Sequence, residues 1–139
     1  MLLLCVVAGL LQSRAVADAP PGRYTIGTDG TVVDTRAKLT WQRTVDAGTY
    51  AWAVATTYCG NSSLAGGGWR MPTIQELLTL VDPTKFNPAI DGKAFPSTPA
   101  EPFWSSTPKA GGNVWYVDMV SGASNNTATN KHYSVRCVR

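Results

Sequence analysis

The sequence predicts an α+β domain with antiparallel sheets, and three observations carry that expectation. Short β-prone runs flank an Asp29-Gly30 dipeptide near the start, two segments in the middle repeat apolar residues at helical spacing, and alternating runs close the chain after a proline-rich stretch. The length of 139 residues suits one domain, and 44% hydrophobic residues with five Trp, five Tyr and three Phe supply a core, which excludes wholesale disorder. Twelve Lys and Arg against nine Asp and Glu leave a net charge of +3 without a basic run. That balance argues against a protein that works by neutralising many nucleic-acid phosphates. A single histidine narrows acid–base and metal chemistry from the outset.

Leu2 to Leu11 is an apolar run followed by Gln12-Ser13-Arg14 and the small-residue pattern Ala15-Val16-Ala17. It is about half the length a bilayer-spanning helix needs, so residues 1–17 read as a secretory signal peptide cleaved before Asp18. A retained anchor and a buried helix are the alternatives. Cleavage leaves residues 18–139 as a single domain without a membrane span, holding Cys59 and Cys137. An even count in an exported protein favours a disulfide, with two unpaired buried thiols as the alternative.

Within that domain, Tyr24–Gly27, Thr31–Val33 and Leu39–Arg43 form an expected antiparallel meander, turned by Asp29-Gly30 and by the polar Asp34–Lys38 segment. Alternation points Trp41 into the core. Tyr50–Cys59 lacks Gly and Pro, and Trp52, Ala55 and Cys59 recur at helical spacing before Gly60. After Gly66-Gly67-Gly68, Thr73 and Glu76 form a capping box for a second helix with Ile74, Leu77, Leu78 and Val81 on one face, ending at Asp82-Pro83. Six of the nine prolines, at 83, 88, 96, 99, 102 and 108, lie in the next stretch, which reads as a long functional loop. Phe103–Thr107, Val114–Met119, Ala123–Ala128 and Tyr133–Val138 are the expected strands of the closing sheet, with Trp115, Val117 and Met119 inward and Tyr116 and Asp118 outward.

Seven ordered motifs resemble the C-terminal domain family of collagen-like bacterial adhesins. They are Asp29-Gly30-Thr31-Val32-Val33-Asp34, Leu39-Thr40-Trp41, Tyr58-Cys59, Gly68-Trp69-Arg70-Met71-Pro72-Thr73-Ile74-Gln75-Glu76-Leu77, Phe103-Trp104-Ser105-Ser106-Thr107, Trp115-Tyr116-Val117-Asp118 and Val135-Arg136-Cys137-Val138-Arg139. The resemblance implies a C-type lectin-like fold, in which a disulfide ties the first helix to the last strand and ligands bind a long irregular loop region. Cys59 with Cys137, and the Pro83–Pro108 segment, suit that scheme. Calcium-dependent sugar binding is not implied, because Glu101-Pro102 runs into Phe103 and Trp115 into Tyr116, where the calcium-binding lectins carry other residues.

Catalytic patterns are sparse. His132 has no evident acid or nucleophile partner, no Gly-x-Ser-x-Gly elbow or metal-binding His pair exists, and the glycine triplet lacks the Lys of a phosphate loop. Asp82, Asp91 and Glu101 are the carboxylates that could converge on calcium, against their plainer reading as helix stop, turn and solvated loop. The expectation is therefore no catalytic residue, no cofactor and no resident metal. The function expected is a secreted or envelope ligand-binding or adhesion module, with an extracellular glycan or protein as partner. A structural protein–protein interaction domain is the alternative, and an enzyme of the formylglycine-generating type, which shares the lectin-like fold but needs a reactive cysteine pair, is a more distant one. Aromatic faces stack on sugar rings, so Trp104, placed where the loop enters the sheet, with Tyr116, Asp118, Lys131 and His132 makes up the expected binding surface.

Overall fold

A computed structural model describes residues 19–139; the expected signal peptide lies outside the described residues. Two three-stranded antiparallel sheets and two helices make an α+β fold, as the sequence implied. The first sheet holds β1 (Tyr24–Ile26), β2 (Thr31–Asp34) and β3 (Leu39–Gln42) in that order. Its first turn forms because the Asp29 carboxylate accepts from the Thr31 hydroxyl at 2.6 Å and the Thr31 N–H at 3.2 Å, while Gly30 takes a φ of 83° that favours glycine. Asp34 shapes the second turn by accepting from the N–H groups of Arg36 and Ala37, each at 3.0 Å, and binds Arg23 at 2.9 Å.

Helix α1 (Trp52–Gly60) follows, then a short 3₁₀ turn at Leu64–Gly66 and helix α2 (Ile74–Leu78). The capping box of α2 is formed in both directions, Thr73 Oγ1 accepting from the Glu76 N–H at 3.2 Å and the Glu76 carboxylate from the Thr73 N–H at 3.4 Å. The helix is shorter than its apolar stripe suggests. Its exit tightens into three-residue bonds, Leu80 N–H to Leu77 O and Val81 N–H to Leu78 O. The tighter winding brings Leu80 beneath Ile74 and Leu77 and leaves Leu78 exposed, so the buried stripe runs 74, 77, 80.

The second sheet holds β4 (Pro102–Pro108), β5 (Val114–Asp118) and β6 (Ala123–Thr127). Both of its faces are covered. Alternation sends Phe103 and Val117 into one apolar cluster with Trp41 and Leu77, and Trp104 and Val114 into another with Ala55, Cys59 and Cys137. Two expectations change here. The proline-rich stretch is partly built into the core: Ala89, Ile90, Ala94 and Phe95 are buried, and Ala89 N–H bonds Met119 O at 2.8 Å, while Phe86 stands 72% exposed. Tyr133–Val138 is also no regular strand. Its residues make isolated bridges to Tyr50, β4, β3 and Arg70 in turn, because it runs between elements that are not aligned with one another.

Candidate functional site

Cys59 near the end of α1 and Cys137 in the closing segment form a disulfide, with their Cα atoms 5.4 Å apart. It joins the helix to the segment that ties both sheets together. Beside it, Arg136 is buried, its two terminal guanidinium nitrogens donating to the carbonyls of Gln42 and Arg43, each at 2.6 Å, and to Thr98 Oγ1 at 2.7 Å, while its Nε–H has no partner. Burial pulls its pKa down to about 9, so it remains a cation at neutral pH, stacked 4.8 Å above the Phe95 ring.

The expected surface residues fall into three settings. Trp104 is 0% exposed, its indole N–H donates to Tyr50 O at 2.6 Å, and its ring lies 4.6 Å from Tyr133. It is a packing residue behind the surface, not part of it, because β4 is central to two cores and its alternation turns Trp104 into the second. Lys131 and His132 are exposed, on the turn that follows β6. Tyr116 and Asp118 are half-buried on one face of β5. Asp118 shapes the β5–β6 turn by accepting from the Val120 N–H at 2.9 Å.

Tyr133 joins these residues, and sequence reasoning did not select it. Its backbone exchanges two hydrogen bonds with Tyr50, and its ring meets Tyr116 edge-on at 4.9 Å. Burial raises the pKa of Tyr116, and Tyr133 and the Asp118 carboxylate add to the rise, so Tyr116 remains a neutral hydroxyl. Exposed Asn125 sits opposite Tyr116 on β6. The only sequence signal for Tyr133 was its position directly after Lys131-His132.

A cleft of about 620 Å³ lies elsewhere, lined among others by Arg23, Tyr24, Arg36, Asp82 and Asp91. Most of its charges are engaged within the fold. Arg23 binds Asp34 and the Thr79 carbonyl, Asp82 accepts from the Thr84 hydroxyl and N–H, and Asp91 accepts from the N–H groups of Lys93 and Ala94. Glu101 accepts from Ser134 Oγ at 2.6 Å. Asp82, Asp91 and Glu101 thus serve three separate local structures, and no three metal-ligating side chains are grouped among the described residues.

The family description that matches the chain is the Lcl C-terminal domain, over residues 30–139. No curated protein matches the chain.

Proposed function

We propose that this chain, a member of the Lcl C-terminal domain family, is an exported, non-catalytic adhesion or ligand-binding module with a C-type lectin-like fold. The family is that of bacterial adhesin-associated modules, and a disulfide suits an extracellular or envelope location. The observation that carries the reading is the setting of Lys131 and His132. They stand exposed on a short turn whose next residue, Tyr133, is fixed by Tyr50 on the backbone side and by Trp104 and Tyr116 on the ring side. A polar pair presented by a rigid aromatic support binds with little ordering cost. The ligand, an extracellular glycan or protein, meets Tyr116, Asp118, Lys131 and His132, while Trp104 acts from behind. The commitment of both Cys59 and Cys137 to a disulfide supports a non-catalytic role, since it leaves neither thiol free as a nucleophile.

The test is binding of the oxidised protein to glycan and extracellular-matrix arrays, beside a Lys131→Ala/His132→Ala variant. Specific binding by the parent that falls about tenfold or more in a variant of unchanged melting temperature is the expected result. Absence of any ligand, or binding indifferent to the double substitution, contradicts it.

A further inference from the structure

The outward side of α1 carries a second surface. Val54, Thr57, Tyr58 and Asn61 follow helical spacing along one face, and Tyr50 precedes them at the entry to the helix. With Ser62 they line an open groove of about 700 Å³.

The aromatic floor of this groove is held in place from several directions. The rings of Tyr50 and Tyr58 stack with centroids 5.2 Å apart and planes 25° from parallel. The Tyr50 hydroxyl donates to the Asp46 carboxylate at 2.8 Å. Gly48, whose N–H also donates to Asp46, passes so close that a Cβ there would lie 2.5 Å from the Tyr50 hydroxyl. The Tyr50 carbonyl accepts the Trp104 indole N–H, which anchors the platform to the core.

The lining determines what can bind. Among the described residues that form it, none carries a carboxylate or a basic group. An anionic ligand would lose hydration there without gaining a counter-charge, and the carboxylate beside the groove, Asp46, already accepts from the Tyr50 hydroxyl and the Gly48 N–H. Val54 is 54% exposed, an apolar patch beside the Thr57 hydroxyl and the Asn61 amide. A pyranose ring has a complementary make-up, with an apolar C–H face for stacking on tyrosine and a rim of neutral hydroxyls for amide and hydroxyl partners.

We propose that the Tyr50–Tyr58 groove on α1 is a binding subsite for a neutral oligosaccharide, with the tyrosine pair as the stacking platform and Thr57 and Asn61 as its hydrogen-bonding groups. It rests on the reading of the chain as a binding module, but not on the Lys131–His132 surface.

Saturation-transfer NMR of the exported, oxidised protein with N-acetylchitotriose, cellotriose and maltotriose tests it. At least one trisaccharide should bind with a Kd of about 1 mM or tighter and shift the ring resonances of Tyr50 and Tyr58. Val54→Lys and Asn61→Ala, both at exposed helix-face positions, should each weaken that binding about tenfold at unchanged melting temperature. The Lys131→Ala/His132→Ala variant should bind the trisaccharide as the parent does. Failure of all three sugars to bind, or binding that survives both groove substitutions, overturns the inference. A trisaccharide lost only in the Lys131→Ala/His132→Ala variant also overturns it, while upholding the module reading at the other surface.

Discussion

Trp104 and Arg136 lie where a residue's type and its environment disagree. A tryptophan beside a proline-rich stretch reads as a surface aromatic, yet Trp104 is fully enclosed and donates its indole N–H to Tyr50 O. Trp104→Ala should therefore destabilise the fold by about 3–5 kcal/mol in urea denaturation, the cost of deleting a core aromatic. A variant that keeps parental stability and loses only binding would return Trp104 to the surface. Arg136 was legible as part of a motif but not as a core residue, since arginine is rarely buried without a charged partner. Burial of every residue from Ser134 to Val138 explains it: a segment covered on all sides places even its arginine inside, where backbone carbonyls replace the missing carboxylate. Lys131 and His132 raise no such conflict, and their exposure follows from their place on a polar turn.

The start of α2 was the most legible element, because a capping box is a local pattern that needs no tertiary information. Its end was not, since the tightening after Leu78 depends on contacts distant in sequence, among them the Val81–Ile90 bridge. The burial of part of the proline-rich stretch was not legible for a related reason. Prolines exclude regular structure but do not exclude burial, and Ile90 and Phe95 fill the core from an irregular backbone. The helix start also carries a pH dependence. Burial alone would raise the Glu76 pKa, but the two hydrogen bonds from Arg70, at 3.0 and 2.9 Å, and those from Thr73 outweigh it and hold the carboxyl below its ordinary value. A group depressed in this way contributes its full stability above the unfolded value of about 4.3, and the contribution is lost as pH falls through the lower folded value. Urea titrations of the parent and Glu76→Gln should be separated at neutral pH and converge as pH drops below about 4. A gap that stays constant over that range would show that the Glu76 charge is not what stabilises the helix start.

At the scale of the whole molecule, the closing segment and its disulfide join elements that local patterning leaves separate. Tyr133–Val138 touches both sheets, the entry to α1 and Arg70, and Cys137 fixes it to the helix. The two sheets and two helices were legible because turn dipeptides and periodicity are written locally, and the cysteine pair because an even count in a chain read as exported favours a disulfide. The cover on the second face of β4–β5 was not, because it depends on where Tyr133 and α1 dock. Crosslinking residues 78 apart constrains the unfolded chain, so reduction should lower stability by up to about 4–5 kcal/mol in denaturant titrations of the oxidised and reduced protein. Equal midpoints would show that packing alone holds the segment. The central claim, that an adhesin-family domain binds its partner at the surface supported by Tyr133, is tested most directly by amide NMR of the ¹⁵N-labelled oxidised protein, titrated with the strongest array ligand. Shifts centred on Tyr116, Asp118, Lys131, His132 and Tyr133 are the predicted result. Shifts confined to the cleft around Arg36 and Asp82, with this surface unmoved, would contradict it.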